Sequence, residues 1–136
     1  MNDSLIMLRD LANRFAAGRA AAPRRRGFVG AALYRRAMGI FALTTDHGPH
    51  WDESRDIREQ AAWDEHASFM DGLADEGFIL AGGPLGDGQH TLHMIEAADE
   101  QEIADRMAQD PWAAAGLLRI GMLERWSIWL GRPPPR

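Results

Sequence analysis

The chain has 136 residues, 46% of them hydrophobic, with a formal net charge of −5 and no cysteine. That size supports one domain with a modest core, and the lack of thiols excludes disulfides, thiolate nucleophiles and Cys-ligated zinc while fitting a reducing, cytoplasmic compartment. No apolar run approaches the roughly 18 residues of a membrane span.

Charge divides the chain in two. Residues 1–37 carry eight arginines against Asp3 and Asp10, whereas residues 38–136 carry seven arginines against eighteen acids. A basic extension therefore precedes an acidic body, and the acidic body argues against nucleic acid as the main ligand, because affinity for phosphates comes from clustered basic side chains. Within the extension, Leu5, Leu8, Leu11 and Phe15 form one stripe of a helix over Ser4–Ala17, capped by Asp3 or Ser4. Arg25, Arg26, Phe28 and Val29 resemble a twin-arginine export signal, but Arg35 and Arg36 interrupt the apolar region such a signal needs. A loosely ordered extension is the simpler expectation. Met38 opens the first regular strand, which leaves the true start of translation open.

The body begins with a short apolar strand, residues 39–44, followed by the loop DHGPHWDES. Residues 57–76 are expected to form a helix that stops at Gly77, with Ala62, His66, Phe69 and Leu73 in one stripe. FILAGG makes a second strand, GGPLGDG a turn, and residues 90–97 a third strand joined through a hairpin containing Gly88. Asp99 with Glu102 opens a second helix bearing Ile103 and Met107, and Asp110–Pro111 is expected to end it. The last strand is expected over Arg119–Leu130, with Ile120, Met122, Trp126, Ile128 and Leu130 on one face and Leu123 and Trp129 on the other. The order βαββαβ specifies an α+β, ferredoxin-like protomer, an antiparallel four-stranded sheet with both helices on one face. Its second, apolar face needs cover, which predicts a homodimer formed through the open sheet face.

His66 stands out because an imidazole in an apolar stripe needs a partner or a cleft. A carboxylate fixes the tautomer of such a ring and supports its protonated form, and Asp110, made rigid by Pro111, is placed to reach inward. Gly82, Gly83 and Pro84 are read either as a turn or as a pocket edge where backbone approaches a ligand. Trp112 is a core or dimer contact or a pocket wall, and Arg58 either meets an anionic substrate or pairs with Asp56 or Glu59. Asp46, His47, His50 and Asp52 are metal-binding types in one loop, but without an HExxH motif or constrained geometry no metal site is assigned. His90 and His93 fall on opposite faces of their strand and cannot form one site together.

The run GPHWDESRDIREQAAWDEHASFMDGLADEGFILAGGPLGDG, followed by DPWAAAGLL and ERWSIWL, resembles the YCII-related proteins over roughly residues 38–131. The resemblance implies a dimeric α+β barrel of ferredoxin-like protomers whose pocket holds a His and Asp pair, here His66 and Asp110. Characterised relatives include a dehydrochlorinase of chlorinated hydroxyhydroquinones, and muconolactone isomerase is a relative in fold. The function expected is cofactor-free acid/base catalysis, an elimination or isomerisation of a small oxygenated cyclic or aromatic molecule. His66 would be the general acid/base, Asp110 its orienting partner, and Arg58, Gly82, Gly83, Pro84, Pro111 and Trp112 the substrate-binding surroundings. The alternative is a non-enzymatic dimeric module for small-molecule binding or assembly, with a structural His and Asp pair. Residues 1–37 have no counterpart in the resemblance.

Overall fold

The computed structural model describes residues 37–131 of the chain; the expected helix over Ser4–Ala17 and the rest of the basic extension up to residue 36 lie outside them. The elements are β1 (Gly39–His47), a 3-10 turn (Ile57–Glu59), α1 (Trp63–Asp75), β2 (Ile79–Leu85), β3 (His90–Ala97), α2 (Glu100–Met107), α3 (Pro111–Ala114) and β4 (Leu118–Arg125). The strands make one antiparallel sheet in the order β2-β3-β1-β4. Order and direction are those of a ferredoxin-like fold.

Alternation along the two central strands builds the core. Gly39, Phe41, Leu43 and Thr45 of β1 are buried while the residues between them are only partly so. On β3 the same face carries His93, Ile95 and Ala97, paired with Leu43, Phe41 and Gly39 respectively. Leu73 from α1 and Ile103 and Met107 from α2 close over this face. Each fully buried large side chain there contributes about 1.5–3 kcal/mol.

Helix ends follow local chemistry. The Asp99 carboxylate accepts the Glu102 N–H at 2.9 Å, and the Glu102 carboxylate accepts the Ala98 N–H at 2.8 Å, a reciprocal cap of the expected kind. Gly77, at φ +79, closes α1 with the Phe78 N–H on the Leu73 carbonyl and the Gly77 N–H on the Ala74 carbonyl. That pair of bonds is the Schellman pattern, in which glycine avoids the strain of a left-handed residue.

Three expectations are corrected. The helix over residues 57–76 is divided, because Ala62 takes a left-handed conformation at φ 56 and α1 begins only at Trp63. Gln60 supplies the reason. Its buried side chain accepts the Asp52 N–H and donates to the Asp52 and Arg55 carbonyls, which draws this segment onto the preceding loop. The turn expected at GGPLGDG is also shorter, since Gly82, Gly83 and Pro84 are paired residues of β2 and the positive φ values fall at Gly86 and Gly88.

The third correction concerns the last strand, which ends at Arg125 instead of Leu130. Thr44 pairs with Met122 and Thr45 with Ile120, so Gly121 is an extra residue in β4. Such a bulge reverses the alternation beyond it. Leu123 consequently packs on the core instead of facing away from it, and Ile120 lies opposite Thr45. A Cβ at Gly121 would stand 2.5 Å from an Asp46 carboxylate oxygen, so any other residue at the bulge would have to move that side chain. Ile40, Ala42, Leu92, Met94 and Met122, each half-buried, give the second sheet face its apolar character. No helix among the described residues is long and apolar enough to cross a membrane.

Candidate functional site

The segment Asp110-Pro111-Trp112 organises the site. α2 ends at Met107, and Asp110 serves the next element: it N-caps α3, its carboxylate accepting the Trp112 N–H at 2.9 Å, with Pro111 in the first turn where a missing N–H costs nothing. The expectation that Asp110 and Pro111 simply terminate the second helix is thus corrected; they start a third. The same carboxylate reaches α1. His66 Nδ1 lies 2.9 Å from both Asp110 oxygens, in a pair that is 5% and 1% exposed.

Aromatic packing sets the plane of the imidazole. The Trp112 ring stacks on His66 with centroids 3.7 Å apart and planes at 5°, and its Nε1 donates to the Ala61 carbonyl at 2.7 Å. The left-handed turn at Ala62 and this hydrogen bond lie side by side, so the break before α1 also anchors Trp112. Trp51 meets Trp112 edge-on at 5.4 Å, and Trp63 lies 5.7 Å from Trp112 and 6.0 Å from His66. With Nδ1–H donated to Asp110, Nε2 is the other ring nitrogen of His66. Among the described residues it has no hydrogen-bond partner.

A second histidine lies within electrostatic reach of the pair. His93, on the core face of β3, is 6% exposed, and neither ring nitrogen has a partner among the described residues. Burial pushes its pKa down to about 4, with the neighbouring His66 acting in the same direction and Asp110 opposing. At neutral pH His93 is therefore an uncharged imidazole.

Gly82 pairs with His93 and shares its face, and a Cβ on Gly82 would come 2.5 Å from His93 Nδ1. This glycine makes room for a histidine. Pro84, opposite Thr91, lies on that same face, whereas Gly83, opposite Leu92, belongs to the other one. Arg58 is exposed on the 3-10 turn, and the break at Ala62 removes it from the helix that carries His66. Pro111 is half-buried beside Asp110 and Trp112.

The residues of metal-binding type expected in one loop divide between the end of β1, which holds Asp46 and His47, and the loop after it, and they take separate partners. Asp46 pairs with His90 at 2.7 Å, His47 stacks on Trp51, His50 Nδ1 bonds the Ala115 carbonyl, and Asp52 holds Ser54 and Arg55. A hollow of about 100 Å³, lined in part by Thr45, Met107, Asp110, Leu118 and Ile120, touches the site at Asp110. His93, Trp51 and Trp63 escaped the sequence reading as site residues. The alternation with Ile95 and Ala97 was a signal that could have placed His93 on the core face.

The YCII-related domain family model matches residues 40–127. No curated protein matches the chain. Among solved structures, the chain is similar to the 5-chloro-2-hydroxyhydroquinone dehydrochlorinase TftG from Burkholderia phenoliruptrix AC1100, in complex with 2,5-dihydroxybenzoquinone. The identity is 24%, the match covers 65% of this chain and 93% of that one, and the TM-score is 0.47.

Proposed function

Since the chain belongs to the YCII-related domain family, we propose that it is a cofactor-free acid/base catalyst of an elimination or isomerisation on a small oxygenated ring. The observation that carries this reading is the arrangement of His66, whose Nδ1 is held by a buried carboxylate while Nε2 has no partner among the described residues. A carboxylate in that position selects the tautomer with its lone pair on Nε2 and supports the imidazolium once a proton arrives. In an elimination, Nε2 takes the substrate proton and the leaving group departs with its bonding electrons as an anion. In an isomerisation, Nε2 returns the same proton to a different atom. Trp112 keeps the ring from tilting, Pro111 adjoins Asp110 in the chain, and Gly82 lies against His93.

The test is turnover of hydroxyhydroquinones, their chlorinated forms, catechols and unsaturated lactones by the full chain and by His66→Asn. Loss of about 10²- to 10⁴-fold in kcat with the fold retained is expected. Near-complete burial of His66 and Asp110 favours a second reading, a structural pair in a non-enzymatic module. Under that reading His66→Asn lowers thermal stability and leaves any turnover unchanged.

Pairing of two copies through the open sheet face completes the proposal. The half-buried side chains Ile40, Ala42, Leu92, Met94 and Met122 support it, since a continuous apolar patch of this kind is a surface for association. Sedimentation at micromolar concentration is expected to give a dimer, and a monomer throughout would remove this part of the proposal.

A further inference from the structure

We propose that His93 is a second working residue of the site, whose Nε2–H donates to an oxygen of the ligand, a phenolic or carbonyl oxygen, while His66 moves the proton. This rests on the acid/base reading above and extends it to a side chain on a different element.

The argument begins with what His93 does not do. It occupies a slot in the alternation of β3 between Leu43 on β1 and Gly82 on β2, where a leucine would continue the run of Ile95 and Ala97. An imidazole there has two polar atoms sealed from solvent without partners among the described residues. Each such atom costs about 1–3 kcal/mol. The neighbouring strand adds a second cost. Gly82 sits where any larger residue would collide with Nδ1 at 2.5 Å, and a glycine within a strand is itself unfavourable by roughly 0.5–1 kcal/mol. Two destabilising choices on adjacent strands serve one ring, and the protein gives that ring no hydrogen bond in return. A ligand oxygen would give it one.

Geometry and charge indicate how. Nδ1 and Cε1 lie against Gly82, so Nε2 is the nitrogen turned away from β2, and a ligand reaches it by displacing the side chains that now close it from solvent. The titratable groups whose charge acts on His93 are His66, from α1, and Asp110, from the corner before α3. Those are the two members of the proton-transfer pair. Burial keeps His93 uncharged through the neutral range, and an uncharged imidazole can polarise a carbonyl or steady a developing enolate or phenolate without taking a proton from His66. The substrate class follows: a compact ring that presents an oxygen to His93 and a transferable proton to Nε2 of His66.

The experiment uses the full chain labelled with ¹⁵N-histidine and titrated with 1,2,4-trihydroxybenzene, following the ring nitrogens by long-range ¹H–¹⁵N correlation. Shifts at both His66 and His93 are expected. A shift at His66 alone overturns the role of His93 and leaves the acid/base reading standing, and no shift at either ring overturns both. His93→Leu provides an independent arm: its melting temperature should equal or exceed that of the wild type, while affinity for the same probe falls about tenfold or more. Undiminished affinity would overturn the proposal. Should the leucine variant not fold, Gly82→Ala carries the same comparison, because its Cβ must displace the His93 ring. A comparable loss of affinity is expected there, and wild-type affinity overturns the assignment.

Discussion

Replacing Asp110 by alanine is expected to destabilise the protein by about 3–5 kcal/mol, measured by urea denaturation. The side chain is 1% exposed and serves two donors, the His66 Nδ1–H on α1 and the Trp112 N–H at the start of α3. Its removal leaves both donors without an acceptor and opens a gap beneath the stacked His66 and Trp112 rings. For a domain of this size the change corresponds to a fall in Tm on the order of 10 °C or more. Asp110→Asn retains an oxygen for the Trp112 N–H and nearly the same volume, so its cost should be smaller, about 1–2 kcal/mol. Equal losses in the two variants would show that the carboxylate facing His66, which both remove, outweighs the volume and the Trp112 bond that asparagine keeps.

Stability is expected to fall as the pH is lowered from about neutrality, and His93 is the main reason. Its folded-state pKa, about 4, lies below the ordinary histidine value of 6.5 because burial opposes the charged form. Between those two values the unfolded chain binds a proton that the folded chain does not. The contribution is therefore complete above about pH 6.5, declines through the window, and is gone below about pH 4, with a limiting size of ~3 kcal/mol. His47, whose pKa is also lowered chiefly by burial, adds a change of the same sign. Urea denaturation at several pH values between 7 and 4.5 reads the slope directly. His93→Leu should flatten it, and an unchanged slope in that variant would assign the acid sensitivity to other groups.

The ligand proposal and the acid sensitivity share a cause. A histidine kept uncharged inside the protein is useful as a donor at neutral pH and destabilising once protons are abundant. The sealed nitrogens of His93 link the two, and His93→Leu should therefore remove both acid sensitivity and ligand affinity. A variant that lost only the pH slope would make His93 a core residue that happens to titrate.

Local chemistry was legible without coordinates. The strands over 39–44 and 90–97 are legible as short apolar runs between turn signals, but not which of their residues face the core, because Ile40, Ala42, Leu92 and Met94 are apolar as well. Gly77 and the Asp99 with Glu102 pair announce helix ends because their partners lie within five residues along the chain. His66 was conspicuous for a related reason, a polar ring at helical spacing among apolar residues.

What escaped the sequence depends on partners far along the chain. The break at Ala62 reflects the hydrogen bonds of Gln60 to the loop and the reach of Trp112, 51 residues on, to the Ala61 carbonyl. The Gly121 bulge, which turns Leu123 onto the core, follows from the register of β4 against β1. Gly82 looked like part of a turn until β3 placed His93 against it. By itself the sequence determined the βαββαβ order and the candidacy of His66, since patterning and capping act over a few residues. Only the tertiary structure decided that Asp110 caps α3 while binding His66, and that an uncharged His93 lies within their electrostatic reach, because such relations exist only once the sheet order has brought distant residues together.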